Sequence, residues 1–349
     1  MEAPRLFGSA PYADARCIGM PRALLYHRHG TLWTTFLQAI GREVIVSDPT
    51  DRAVVEHGDS ISNDECCLAS KIYLGHVASL VGKCDAVFVP SIVNVGHFRG
   101  FCTKFQALPD LVSNTFANGD VRVVSCLVNE TEEHQGMREG MLELASKFGV
   151  GSKTAKQAWK AALHAQEQAE RTAAAAQESK LKTLSSSHSA PHSPNGTNGA
   201  HSSSNSSNAP VGILLAAHPY LSRDPYMGGA LETMLSDMGA ITLFTDETPR
   251  KKALAKSFEF SSTLPWIVNR EIIGSIMMLH EKVDGIVLVS AFPCGPDSMT
   301  DDAVMRCIQG KPILNLTIDA QSGTAGLETR VESFIDILRY QKKGGYVHA

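Results

Sequence analysis

Three cysteines of this chain stand where a thiol could do chemistry. Cys294 lies in "SAFPCGPDSM", between Pro293 and Gly295 and directly after the apolar run "GIVLVS". Gly295 leaves the neighbouring backbone open to close approach. Cys67 lies in "SNDECCLASK", where Ser62, Asn63 or Asp64 is expected to cap a helix and put Cys67 in its first turn. Cys102 lies in "FCTKFQALPDLV", just ahead of a helical pattern. A helix N-terminus offers free N–H groups and the positive end of the macrodipole, and both stabilise a thiolate or an anionic cluster. Three thiolates gathered from distant segments would suit an iron–sulfur cluster with one iron open, or a zinc ion that keeps a water. Spacing alone does not select either over the plain alternative, because free cysteine is commonly a small buried hydrophobe.

Other polar residues carry weaker signals. His218 in "AHPY" falls at a strand end, where it could donate a proton, touch a substrate or fix a loop by a hydrogen bond. His76 falls on the helical face opposite Cys67 and is read as structural. Asp297 and Ser298 are read as caps of the helix after "FPCGP". His97 and Arg99 in "HFRG" could meet an anion, and a solvated loop explains them equally well. Cys66 and Cys67 are adjacent, and one helical step turns a side chain by about 100°, so the two are not expected on the same iron. Cys17, Cys84, Cys126 and Cys307 lie inside or beside apolar stretches or at a strand start and are read as structural.

The elements that must position these residues alternate in kind. "CIGMP", "EVIVS", "DAVFVP" and "VRVVSCLV" read as strands of a first half. Helices are expected between them, over 65–81 and near 104–116 among others. "VGILLAAHPY", "AITLFT", "GIVLVS" and "KPILNLTID" read as strands of a second half, again with helices between. Strand–helix alternation implies βαβ units and parallel sheets, and short Val/Ile/Leu runs fit strands covered on both faces. The expected fold is therefore α/β: two flavodoxin-like or Rossmann-like parallel-sheet domains, residues 17–150 and 211–349, with a cleft between them. Residues 151–184, rich in Ala, Gln, Glu and Lys, read as a long, mostly exposed helix with Trp159 and Leu163 as its apolar stripe. Residues 185–210 are Ser, Asn, Gly and Pro without apolar periodicity, and read as a disordered linker. Ligands of open α/β sheets collect outside the carboxyl ends of the strands, and Cys102, His218 and Cys294 all fall there.

Composition removes several function classes. The 349 residues carry a net charge of −4, with no basic footprint for nucleic acid. No run approaches the length of a membrane span. The N-terminus has no apolar signal core, so a cytoplasmic location with reduced thiols is expected. Eight cysteines include no CxxC pair, which excludes a local zinc knuckle. No GxxxxGK[ST] appears, and no GxGxxG follows a strand, so nothing marks the chain itself as an ATP or NAD binder.

Six segments in order, "IGMPRALLYH", "DECCLASKIYLGHV", "FCTKFQALPDLV", "HPYLSRDPY", "FPCGPDSM" and "PILNLTIDAQSGTAGLETRVESFID", resemble the iron–sulfur subunits of the 2-hydroxyacyl-CoA dehydratase and benzoyl-CoA reductase family. The likeness is greatest to its short branch, the acyl-CoA dehydratase activase-related or CoA protein activase branch. Ala69 and Thr103 stand where family members usually carry proline. The resemblance implies a [4Fe–4S] or related iron–sulfur cluster on Cys67, Cys102 and Cys294. It also implies a separate ATP-hydrolysing activator that supplies low-potential electrons, and a homo- or hetero-oligomer with a related subunit. Reductive chemistry at the cleft is the first functional expectation, with His218 as a candidate catalytic residue. A non-catalytic cluster carrier, or an accessory that binds the activator or dehydratase, is the second. A small-molecule-binding α/β protein with inert cysteines is the third.

Overall fold

The computed structural model describes residues 10–188, 210–320 and 324–342. Most of the expected linker, residues 189–209, lies outside the described residues. Four parallel strands, β1 (Cys17–Met20), β2 (Glu43–Val46), β3 (Ala86–Phe88) and β5 (Val123–Val124), form one sheet in the order β2-β1-β3-β5. Between β3 and β5 in the chain runs β4 (Ser91–Asn94), which pairs with β6 (Leu127–Asn129) in a two-stranded parallel sheet. A second four-stranded parallel sheet follows, built from β7 (Val211–Ala217), β8 (Ala240–Phe244), β9 (Gly285–Ala291) and β10 (Ile313–Ile318) in the order β10-β9-β7-β8. Each four-stranded sheet therefore places its first strand between its second and third, as in flavodoxin-like folds. Chain direction across the sheet reverses between β1 and β3, and again between β7 and β9. Those reversals are where an open α/β sheet leaves a crevice beyond its strand ends. Every residue of β7 and β9 is buried, as strands covered by helices on both faces require.

Several local expectations change. "VRVVSCLV" is not one strand: it divides at Ser125–Cys126 into β5 and β6. Its partner divides at the same level. Val89 N–H donates to the Val124 carbonyl and Ser91 N–H to that of Cys126, both at 2.9 Å. These bonds run on at alternate residues across the division, because Pro90, which has no N–H, falls at a position that does not donate to this neighbour. The helix expected near 104–116 is two pieces, Thr103–Gln106 and Leu108–Thr115. An additional helix, Arg52–Ile61, is capped by the Asp51 carboxylate, which accepts from Val54 N–H at 2.9 Å.

The long helix Ser152–His188 is less exposed than expected. Leu163 points outward, and Ala155, Ala158 and Ala162 form the buried stripe, with Trp159 half-buried beside it. Alanines there let the helix lie close against Tyr26–Ala39 of the first half. Further along, the Gln177 side-chain oxygen accepts from Phe244 N–H at 2.6 Å, and Lys180 Nζ donates to the Thr242 carbonyl at 3.0 Å. Leu184 is buried with Leu214, Leu243 and Ile273. The helix thus straps both halves together. A two-pronged ion pair between Arg28 and Glu271, both largely buried, links them again.

Candidate functional site

The two chain reversals face one cleft. Leu24, beyond β1, and Phe101 and Cys102, beyond β4, line it from the first half. His218, the residue after β7, and Cys294, in the turn after β9, line it from the second. Cys67 completes the wall, and the cleft holds about 500 Å³ of space, open mouth included. The three cysteines that the motifs single out thus line one cavity, together with His218. Cys66 does not line it, although it is buried.

Each of the four residues occupies a helix N-cap. Cys67 is the cap of Leu68–Leu80, not a first-turn residue, and Ser62, Asn63 and Asp64 precede it in a separate turn. Cys102 caps Thr103–Gln106, His218 caps Pro219–Ser222 and Cys294 caps Gly295–Cys307. None of the four side chains makes a capping hydrogen bond to its helix, and all four line the cleft. Backbone hydrogen bonds between the halves hold this geometry. Leu68 N–H, next to Cys67, donates to the Phe292 carbonyl at 2.9 Å, two residues before Cys294. Gly100 N–H donates to the Pro265 carbonyl at 2.8 Å, and Ile267 N–H returns to the Gly100 carbonyl at 2.9 Å. A Cβ on Gly100 would stand 3.3 Å from the Pro265 oxygen, so a side chain there would press on the crossing that carries Cys102.

The walls are mostly apolar: Leu24, Phe101, Phe105, Trp266 and Val268 surround the thiols, with Ser70 and Lys104 as polar additions. Cys67 Sγ lies 3.4 Å from Ser70 Oγ. Burial pushes the Cys294 thiol far up, and the Asp297 charge adds to it. Burial raises the Tyr220 hydroxyl too, reinforced by the negative field of Asp297 and the three cysteines.

Asp297 corrects the capping expectation. It is buried in the first turn, and its Oδ1 accepts from His218 Nε2 at 2.7 Å and from Asn269 Nδ2 at 2.9 Å. Burial acts to raise this carboxyl, but His218 and Asn269 outweigh it and hold it below the ordinary carboxylate value. One turn on, burial and then repulsion from Asp297 lift Asp301 to about 7. Ser298 Oγ donates to the Cys294 carbonyl at 2.7 Å and so braces the turn. His218 stacks on Tyr220, with ring centroids 4.8 Å apart and planes 18° from parallel. Sequence reasoning missed the His218–Asp297 pair because its members lie 79 positions apart. Their only local signals are the strand-end histidine and an acid three residues after a cysteine.

The remaining candidates lie elsewhere. His76 is buried between Ser47 Oγ and Thr50 Oγ1, each at 2.9 Å, as a structural histidine should be. His97 and Arg99 are exposed in their loop. Cys126 is fully buried, and burial pushes its thiol up to about 12. Cys307 is exposed.

The donor set decides which metals the cleft could take. Soft thiolates suit zinc or iron–sulfur centres. A single tetrahedral zinc, with Zn–S of about 2.3 Å, would hold its sulfurs about 3.8 Å apart. Among the described residues, the one trio of donor atoms within 4.8 Å of one another is His218, Cys294 and Asp297. The three cysteine sulfurs do not form such a trio, so as placed they do not close on a single ion.

Residues 17–247, about two thirds of the chain, match the family described as the CoA enzyme activase uncharacterised domain. The chain belongs to that family. The family is related to the activator branch of the 2-hydroxyacyl-CoA dehydratase system, so the matched part has an activase-related character. The matched span holds Cys67, Cys102 and His218, while Cys294 and Asp297 lie beyond it. No curated protein matches the sequence. Among the described residues no helix is long and apolar enough to cross a membrane.

Proposed function

We propose that this member of the CoA enzyme activase uncharacterised domain family is an iron–sulfur protein whose cluster is held by Cys67, Cys102 and Cys294. Its electrons would come at low potential from a separate ATP-hydrolysing activator, in the cytoplasm. The observation that carries this reading is the convergence of three cap-position cysteines, from both halves, on one largely apolar cleft. Such a cluster supplies one-electron transfer. The chain's own residues do the rest. The positive dipole ends of Leu68–Leu80 and Gly295–Cys307 favour anionic thiolates at their cap positions. Leu24, Phe101, Phe105 and Val268 keep water away. The Leu68–Phe292 and Gly100–Pro265 bonds keep the halves closed around the site. The domain division at 17–150 and 211–349 belongs to the same proposal, since each half contributes ligands from its own sheet.

Two readings of the electron's destination remain: reduction of a substrate in the cleft, and delivery to a dehydratase-type or related partner subunit. The close stitching of the halves favours delivery, because a bulky thioester would have to part them. The test is anaerobic purification of the full chain, followed by reconstitution with ferrous iron and sulfide. We expect bound iron, acid-labile sulfide and an EPR signal after dithionite reduction. Cys67→Ser, Cys102→Ser and Cys294→Ser should each lower cluster content several-fold, while Cys84→Ser and Cys307→Ser leave it unchanged. A wild-type chain that takes up neither iron nor sulfide refutes the proposal. If Cys66→Ser empties the site and Cys67→Ser does not, the choice within that pair is wrong.

A further inference from the structure

Three cysteines leave one position of a four-iron cluster without a protein ligand, and the cleft holds one more donor of the right kind. His218 is 5% exposed and lines the same cavity as the three thiols. Its Nε2 is engaged with Asp297 Oδ1 at 2.7 Å. A carboxylate can only accept, so Nε2 carries a proton, and in the neutral ring this leaves the lone pair on Nδ1. That Nδ1 is buried and has no hydrogen-bond partner. A buried, unpartnered ring nitrogen costs free energy unless something binds it.

The surroundings fix the ring as a ligand's ring is fixed. Metal-bound histidines usually donate their other N–H to a carboxylate, which sets tautomer and orientation. Asp297 does this here and is itself held by Asn269, whose Nδ2 also reaches Thr300 Oγ1 at 3.0 Å. The stack on Tyr220 restrains the remaining rotation. Donor atoms of His218, Cys294 and Asp297 all lie within 4.8 Å of one another, so the imidazole stands beside one of the cysteine ligands.

We infer that His218, through Nδ1, is the fourth protein ligand of the site, with Asp297 as the positioning carboxylate behind it. This rests on the iron–sulfur reading and sharpens it. With four protein donors no coordination position is left open for a substrate, which marks the site as one for electron transfer. A neutral imidazole in place of a thiolate also raises the reduction potential.

The test uses the reconstituted full-length chain, reduced with dithionite, with and without ¹⁵N-histidine. Hyperfine spectroscopy should show a strongly coupled nitrogen that changes on labelling. His218→Ala should lose that coupling and shift the midpoint potential while still binding iron through the cysteines. Asp297→Asn should keep the coupling but release iron to a chelator at about 10–100-fold lower concentration. A wild-type cluster with full iron and sulfide but no histidine nitrogen coupling overturns the assignment and leaves the iron–sulfur reading standing. A wild-type chain that binds no iron overturns both. The labelled wild-type measurement holds whether or not either variant folds.

Discussion

Gly75→Ala tests how the helix behind Cys67 is held. Helices Arg52–Ile61 and Leu68–Leu80 cross so closely that each lays a glycine beneath the other's carbonyl. A Cβ on Gly75 would lie 2.1 Å from the Val54 oxygen, and one on Gly58 would lie 2.1 Å from the Lys71 oxygen. Carbon and carbonyl oxygen ordinarily come no nearer than about 3.3 Å, so the helices would have to part by about 1 Å. The obstructing atoms are backbone and cannot rotate aside. Overpacking costs about 1–3 kcal/mol, and the absence of a yielding side chain puts this site at the upper end. Alanine's better helix propensity returns about 1 kcal/mol. The expected net loss is therefore about 2 kcal/mol. Because Cys67 caps the displaced helix, reconstituted iron should fall as well. Urea denaturation of the full chain reads the stability term, with Gly151→Ala as control, since a methyl there meets nothing within 4 Å. Equal urea midpoints for Gly75→Ala and Gly151→Ala would refute the close-crossing argument.

Two further predictions concern the framework around the cleft. Burial lowers the His76 pKa to about 4, against about 6.5 in an unfolded chain. The neutral ring therefore favours the folded state fully above pH 6.5, and that preference is lost as pH falls toward 4. Its share is about 3 kcal/mol. Denaturation midpoints across that window should fall less steeply in His76→Gln than in the wild type, and identical slopes would remove His76 from the account. The Arg28–Glu271 pair is buried at both ends, with side-chain exposures of 7% and 11%. Glu271→Gln should cost about 3–5 kcal/mol by stranding the guanidinium, whereas the double replacement Arg28→Met/Glu271→Met should regain most of it. A double variant no more stable than the single one would show that the pair contributes more than charge neutralisation.

Much of the framework was legible in the chain. The runs "GIVLVS" and "VGILLAA" are apolar without alternation because both faces of β7 and β9 are covered, and each is one of the expected strands. What misled was local context that a single segment does not carry. The backbone bonds from Val89 and Ser91 run on across the division of "VRVVSCLV", so nothing within that segment marks where it splits. Leu163 looked like the inward residue of the long helix, yet close packing on Tyr26–Ala39 admits alanines there. Asp297 matched a capping pattern, but the turn buries its carboxylate against His218, and a buried acid takes the partner it finds in space.

The sequence by itself determined that strands and helices alternate, and that Cys102, His218 and Cys294 stand at strand ends while Cys67 opens a helix. Those are local properties, set by hydrophobic period and by turn residues. Tertiary structure alone decided that these four, of eight cysteines and thirteen histidines, share one cleft. That outcome depends on both sheets taking the same strand order, so that their chain reversals can face each other, and on a helical strap and a few interchain-like backbone bonds that press the two halves together. Convergence of residues more than a hundred positions apart is a consequence of strand order and packing, which no spacing within a segment expresses.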